Sequence, residues 1–391
     1  MSGESNEGFV TTAQRIDIAS SAVDLADLDG DGDLDAFLVG LENPSVWLND
    51  GFGRFSRVEQ SLSIVRAFDI RLGDLDGDGD YDAFIAMDGP NCIGLNDGRG
   101  TFVDSEHQLG HSISRCLELL DVDLDGDLDA FIGNDKSPNK IWLNDGRGIF
   151  VDSGQRLGEG SSRWADSGDL NHDGYPDVII ASRSEGCQVW MNQGDGRFSI
   201  NGQSLPGGIK VSLGDLDGDN DLDAWLVRKY RLIPDDRILW NDGSGYFIDN
   251  GTSYENTSGT LGDFDGDSDL DVWYIRGDGV GGMYNDGSGK FELALKMVSG
   301  ERTLHCALGE LNGDGRLDVW AAGARKSEVW INGGQARIHK IQETDENAIS
   351  IDYTGSLFYS PEVNGEYRIL ENAFSPYAAQ WTGRKGFYLV R

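Results

Sequence analysis

Asp27-Leu-Asp-Gly-Asp-Gly-Asp-Leu-Asp35 places a carboxylate at every odd position of nine residues. The pattern returns at Asp74–Asp82, Asp121–Asp129, Asp169–Asp177, Asp215–Asp223, Asp263–Asp271 and Glu310–Asp318. Successive copies begin 47, 47, 48, 46, 48 and 47 residues apart. A fixed period of this size means one supersecondary unit used seven times, each packing mainly on its neighbours.

The flanks of the acidic loop read as short strands. In the second repeat, Ser63–Leu72 runs into the loop and Tyr81–Met87 leaves it. Asn91–Leu95 follows, and Asn96-Asp-Gly turns the chain into a fourth strand running from Phe102 to Leu109. Asn, Asp and Gly tolerate the positive φ that tight hairpin turns need. The same turn stands at Asn49, Asn144, Asn241 and Asn285, with variants at Asn192-Gln-Gly and Asn332-Gly-Gly. Two residues after each loop come Phe37, Phe84, Phe131, Ile179, Trp225, Trp273 and Trp320. The fourth strands open on Phe55, Phe102, Phe150, Phe198, Phe247 and Phe291, and Phe9 begins a similar segment. Aromatics at one place in every unit are expected to pack neighbouring sheets together. Four antiparallel strands per unit, seven times over, predict an all-β fold, a β-propeller of seven four-stranded blades.

The succession of strand, DxDxDGxxD loop, strand and a segment such as Trp47-Leu-Asn-Asp-Gly-Phe-Gly-Arg-Phe55 resembles the FG-GAP/VCBS repeats of integrin-α-like calcium-binding propellers. The resemblance runs over roughly residues 9–342 and implies a ring. Residues 1–344 are expected to form the seven-repeat propeller, with the strand at 9–16 closing it. Ala336–Gln342 also reads as a weaker fourth strand of the seventh unit. Residues 345–391 carry further strand patterns, at Ala348–Tyr353, Leu357–Tyr359, Glu366–Leu370 and Phe387–Val390. They read as a C-terminal β extension, or as a divergent eighth blade closed by the N-terminal strand.

In each loop the side chains at positions 1, 3, 5 and 9 and the carbonyl at position 7 can converge on one hard cation. The candidate ligands are Asp27, Asp29, Asp31, Asp33 and Asp35 in the first loop. The second offers Asp74, Asp76, Asp78, Asp80 and Asp82, and the third Asp121, Asp123, Asp125, Asp127 and Asp129. The fourth offers Asp169, Asn171, Asp173, Tyr175 and Asp177, and the fifth Asp215, Asp217, Asp219, Asp221 and Asp223. The sixth offers Asp263, Asp265, Asp267, Asp269 and Asp271, and the seventh Glu310, Asn312, Asp314, Arg316 and Asp318. Ca²⁺ takes six to eight oxygens in flexible geometry, whereas Mg²⁺ demands a stricter octahedron. No His or Cys recurs in the loops, which argues against zinc and copper. Up to seven structural Ca²⁺ ions are therefore expected, bound more weakly at the fourth and seventh loops, where amides or Arg replace carboxylates. Position 6 is Gly except at Asn220 and Ser268, and His172, at position 4 of the fourth loop, is expected to face solvent.

The formal net charge is −36, and 31 of the 68 acidic residues lie in these loops. Seven divalent ions would bring the charge to roughly −22. Such a chain should repel nucleic acid, whose binding rests on cationic contacts. No run of 18 apolar residues exists, so no membrane-inserting helix is expected. Cys92, Cys116, Cys187 and Cys306 lack metal spacing and read as small buried residues, a Cys92–Cys116 bridge being the one pairing open. Calcium loops fit an extracellular or periplasmic setting, where the ion is abundant. The first residues nonetheless lack the basic and apolar segments of a signal peptide.

The links at the rim opposite the loops vary in length and carry Arg66, Arg115, Lys136, Arg163, Arg183 and further cations. Variable links on a rigid scaffold are where recognition is usually placed. The function expected is a noncatalytic recognition or adhesion module binding a glycan or an extracellular protein through that face. One alternative is a lyase of acidic polysaccharide, for which His305 with Arg302, or His111 with Arg115, would be the catalytic candidates. Another is a structural subunit of a larger extracellular assembly. The oligomeric state has no signature in the sequence.

Overall fold

The computed structural model describes residues 9–333 apart from positions 13, 15, 61, 63, 231, 232, 235, 255–258, 277–278, 294–296 and 299–302. Beyond residue 333 it describes the backbone of six further strands. Seven antiparallel four-stranded meanders follow one another around an axis. Blade 1 comprises Ala22–Ala26, Asp35–Val39, Ser45–Asn49 and Phe55–Val58. Blade 2 comprises Ala67–Gly73, Asp82–Met87, Cys92–Asn96 and Phe102–Asp104. Its fourth strand is shorter than the sequence implies. Glu106 takes a φ of 62° and ends the pairing, and Leu109 returns to bridge Asn91.

Blade 7 is made from both ends of the ring. Thr303–Gly309, Asp318–Gly323 and Glu328–Asn332 supply three strands. Phe9–Thr11 supplies the fourth, Phe9 standing opposite Asn332 and Thr11 opposite Trp330. The segment at Ala336–Gln342 is therefore not the blade's own fourth strand. Arg337–Asp345 pairs instead with Ala348–Thr354, in a separate three-stranded sheet with Tyr377–Gln380. Leu357–Ser360, Arg368–Ile369 and Phe387–Val390 form a second such sheet. The N-terminal strand is thus used in blade 7, which sets aside the eight-bladed alternative.

The choice of Phe9 over residues 336–342 has a packing reason. The Phe that opens each fourth strand packs on the strand-two residue of the preceding blade. Phe102 meets Phe37 at 4.8 Å, Phe150 meets Phe84 at 5.2 Å and Phe291 meets Trp225 at 5.0 Å. Phe9 meets Trp273 at 4.8 Å and so completes the set, and Phe55 meets Trp320 at 4.6 Å across the closure. The segment 336–342 contains no aromatic residue. Each such pair contributes roughly 0.5–1.5 kcal/mol beyond its burial. The blades also approach closely at their inner strands. A Cβ on Gly309 of blade 7 would lie 2.6 Å from Leu34 Cδ1 of blade 1. All four cysteines are buried and unbridged.

Candidate metal loops and the axial pocket

Each acidic loop joins the first two strands of its blade, at the same rim as the Asn-Asp-Gly turn between strands three and four. Its residues divide the work. The position-1 carboxylate folds the loop: Asp27 accepts the N–H of Gly30 at 2.8 Å and of Gly32 at 3.0 Å. The position-9 carboxylate ties loop to blade. Asp35 accepts the N–H of Leu28 at 2.8 Å and of Asn49 at 2.7 Å. Asp82, Asp129, Asp177, Asp223, Asp271 and Asp318 repeat both bonds. The Asn that receives this clip then reaches to the preceding blade. Asn96 Nδ2 donates to the Leu28 carbonyl at 2.9 Å, and Asn49 Nδ2 donates to Leu311 across the closure at 2.9 Å.

The loops gather oxygen ligands. Carboxylate oxygens of Asp27, Asp29 and Asp35 lie within 4.8 Å of one another. So do those of Asp121, Asp123 and Asp129, of Asp215, Asp217 and Asp223, and of Asp263, Asp265 and Asp271. In the second loop the set is Asp74, Asp76 and Asp78. Asp29 Oδ1 and Asp217 Oδ1 are buried without a hydrogen-bond partner. Burial and then the neighbouring Asp31 push the Asp29 carboxyl above its ordinary range, and Asp217 is raised likewise by burial and Asp219. An all-oxygen set with an orphaned carboxylate oxygen fits a hard cation, which would supply the missing positive charge.

The fourth and seventh loops satisfy themselves instead. Asn171 Nδ2 donates to Asp173 Oδ2 at 2.9 Å, and Asn312 Nδ2 to Asp314 Oδ2 at 3.4 Å. The amide at position 3 thus takes up charge that an ion would otherwise meet. The position-7 side chains lie over the turn glycine. A Cβ on Gly51 would stand 2.5 Å from Asp33 Oδ2, and one on Gly194 2.7 Å from the Tyr175 ring. His172 is exposed, as expected, and its Nε2 also lies 2.6 Å from Asp221 Oδ1 of the next blade.

Position 6 requires a left-handed backbone in every copy. The φ is 96° at Gly32 and 95° at Gly79, and still 71° at Asn220 and 79° at Ser268. A Cβ at Gly32 or Gly79 would meet nothing within 4 Å, so the restriction is conformational, not steric crowding by neighbours. Relief of left-handed strain contributes about 1–2 kcal/mol, and the extra freedom of an unfolded glycine offsets about 0.4–1. Ser268→Gly is therefore expected to stabilise the protein by roughly 0.5–1 kcal/mol. Scanning calorimetry at fixed cation concentration measures it, and a lowered midpoint would refute the strain argument.

A second cluster lies on the propeller axis, where each first strand contributes the residue opposite the large strand-two core residue, an aromatic in every blade but the fourth, which has Ile179. Asp24 pairs with Phe37, Arg71 with Phe84 and Glu118 with Phe131. Asp166, Ser212, Thr260 and Ala307 hold the corresponding places in blades 4 to 7. These groups stitch adjacent blades. Asp24 Oδ2 accepts the Leu72 N–H at 2.9 Å, Asp69 Oδ2 that of Leu117 at 3.0 Å and Asp166 Oδ2 that of Leu213 at 2.8 Å. Arg71 joins Glu118 at 2.8 Å and Asp69 at 3.0 Å, and Lys210 Nζ donates to Thr260 Oγ1 at 2.7 Å. Burial pushes the Glu118 carboxyl up to about 8, against the pull of Arg71. It pushes the Lys210 amine down to about 8.

Asp24, Arg71, Glu118, Asp166, Lys210 and Thr260 line a cavity of about 220 Å³. Trp164 of blade 4 reaches across the axis and stacks on His305 of blade 7, centroids 5.2 Å apart and planes at 27°. Lys210 Nζ lies 4.9 Å from the Trp164 ring centroid. Burial, with Lys210 and Arg71 nearby, holds the His305 imidazole well below its ordinary range. Sequence reasoning reached His305 but not its neighbours. Part of their signal was present: Asp24, Arg71, Glu118 and Asp166 stand inside first strands at the period of the loops, whereas Lys210, at the start of its strand, and Trp164 do not share that position.

The other lyase candidates are not brought together in this way. Arg302 lies outside the described residues. His111 is exposed, while Arg115 is drawn over the Phe68 ring at 4.1 Å and onto Asp135 at 3.2 Å. Arg163 approaches the same Asp135 at 3.8 Å, Lys136 is exposed beside it, and Arg66 pairs with Asp88. Arg66 and Lys136 stand on links at the rim away from the acidic loops, whereas Arg115 and Arg163 lie near the starts of their first strands and not on links.

A family model of the FG-GAP-like repeat matches residues 27–85, 121–180 and 169–226. The chain folds as a seven-bladed β-propeller, and FG-GAP-like repeats recur within it at these residues. No curated protein matches it. Among solved structures, an Agrocybe aegerita lectin studied for specific recognition of non-reducing terminal N-acetylglucosamine is 18% identical with a TM-score of 0.53. The match covers 82% of this chain and 86% of the lectin. BBS1N, solved in complex with ARL6DN, is 12% identical with a TM-score of 0.59, covering 83% of this chain and 96% of its own. The extracellular domain of a hybrid two-component system from B. thetaiotaomicron is 12% identical with a TM-score of 0.53, covering 95% of this chain and 55% of its own. At these identities the likeness is one of fold. Among the described residues, no helix is long and apolar enough to cross a membrane.

Proposed function

We propose that this propeller is a calcium-stabilised, noncatalytic recognition module that binds a glycan through the face opposite the acidic loops, in an extracellular or periplasmic setting. The carrying observation is the division of charge. The loops concentrate carboxylates at one rim, while Arg66 and Lys136 on links, and Arg115 and Arg163 near the starts of first strands, stand at the other, the arginines sharing Asp88 and Asp135. That gradient gives a strongly acidic protein one face suited to polar and acidic groups. The ions act as clips: each loop sits between two strands and, through its Asn, against the preceding blade. Seven similar sites offer no distinct open position for catalysis. His305, the imidazole candidate for lyase chemistry, is taken up by its stack on Trp164, and burial holds its pKa below the ordinary range. The lectin and the extracellular domain of like fold accord with recognition outside the cell.

The test is a glycan panel probed with the calcium-loaded chain. Lys136→Ala with Arg163→Ala should weaken glycan capture at least about tenfold while leaving the unfolding midpoint in place. Capture that is unaffected by the double variant would overturn the face assignment. Release of unsaturated uronate from acidic glycans would overturn the noncatalytic reading, and capture of a protein without any glycan would replace the ligand class.

A further inference from the structure

We infer that the axial cavity is a binding site for one small neutral polyhydroxylated ring, a single sugar unit, held by Lys210, Thr260, Asp24 and Asp166 beneath the Trp164–His305 stack. This rests on the recognition reading above and locates part of its specificity on the axis. The unused bonding capacity around the cavity carries it. Lys210 Nζ has three N–H donors, and Thr260 takes one. The Thr260 hydroxyl accepts that bond and keeps its own proton to donate. Asp24 and Asp166 accept backbone N–H groups on both oxygens, which leaves each oxygen a second lone pair. His305 Nδ1 is buried with no partner. Buried polar groups are ordinarily paired, so an unpartnered His305 Nδ1 beside the spare donors of Lys210 in one cavity marks a place for a polar ligand.

Charge selects the ligand class. An entering anion would face Asp24 and Asp166, and an entering cation would face Arg71 and Lys210. A hydroxyl group suits both, since it donates to a carboxylate and accepts from an ammonium. Vicinal hydroxyls on one ring present that alternation at the spacing of neighbouring side chains. Size limits the occupant. A cavity of about 220 Å³ is smaller than the roughly 300–1,000 Å³ usual for drug-sized ligands, so one ring enters and an oligosaccharide does not. Trp164 is not itself a stacking platform, because His305 and Lys210 already lie against its ring. It forms a wall, on the side of the strands away from the acidic loops. Lys210 opens its strand, and Trp164 and His305 are each the third residue of theirs.

The experiment is saturation-transfer NMR with calorimetry on the calcium-loaded full chain, using glucose, galactose, glucuronate and glucosamine as probes. At least one neutral hexose should bind, with its acidic and amino counterparts at least about tenfold weaker. Thr260→Val, close in shape, and Lys210→Met should each weaken that binding about tenfold or more, whereas Lys136→Ala with Arg163→Ala should not. If Lys210→Met does not fold, Thr260→Val decides alone. Absence of neutral-hexose binding at millimolar concentration would overturn the inference. Sugar binding that survives Thr260→Val unchanged would overturn it too, while leaving glycan recognition by the outer face intact.

Discussion

Excess chelator should lower the unfolding midpoint of this protein on the order of 20 °C. A ligand bound only to the folded state stabilises by about 2.7 kcal/mol when present at a hundred times its dissociation constant. Five loops converge three carboxylates each, so their combined contribution exceeds about 10 kcal/mol if the ring melts as one unit. Closure makes it one unit. Asn49 reaches Leu311, and Phe9 completes blade 7, so no blade is free to fray alone. Returning Ca²⁺ should restore the midpoint more fully than Mg²⁺, whose stricter octahedron suits these loops less well. Bound calcium should number about five per chain at modest concentration, since the fourth and seventh loops satisfy their own carboxylates. Asn171→Asp removes the amide that occupies Asp173 and should add a site. Calorimetric scans with and without chelator, beside a metal count, measure all of this. An unchanged midpoint would sink the structural-ion reading.

The seven-fold architecture was legible because it is written in local chemistry repeated at one period. Asp35 must clip Asn49, and a Phe must open the outer strand, so the same letters return every 47 residues or so. The closing strand was legible for the same reason: Phe9 begins a segment like that at Phe150. The fate of residues 336–342 was not, because an alternating pattern states that a strand forms without naming its partner. Phe9 wins that place through Trp273, more than 260 residues away in the chain. The axial cluster escaped for a related reason. Asp24, Arg71, Glu118 and Lys210 are single charges in separate strands, and only closing the ring brings them together. His305 was legible as a candidate, but its partner, Trp164, belongs to a blade across the axis. The solvent-facing reading of His172 missed Asp221 because the contact joins neighbouring loops, a distance the repeat pattern does not report.

Arg71→Met should destabilise the protein by about 3–5 kcal/mol, the cost of breaking a buried ion pair by removing one partner. Arg71 is four-fifths buried and serves Glu118 and Asp69 at once, with Asp24 close by. Asp24, Asp69, Glu118 and Asp166 all have carboxyls raised by burial, and Arg71 opposes the rise in each. Its loss would leave Lys210 as the cation facing them. The pH dependence gives the effect a sign. Glu118 titrates at about 8 in the fold against 4.5 ordinarily, so its protonated form is the one the fold favours. That contribution is complete below pH 4.5 and is lost as pH rises through 8. Removing Arg71 raises the cost of ionising Glu118 further. The gap between parent and variant should therefore be wider at pH 8 than at pH 5, and comparing the two proteins at each pH cancels the titration of the acidic loops. Glu118→Gln in the Arg71→Met background should recover part of the stability at pH 8, because it removes a charge that no longer has its partner. Urea unfolding of the three proteins at both pH values measures this. A gap that is equal at the two pH values would show that Arg71 acts through packing of its side chain and not through charge.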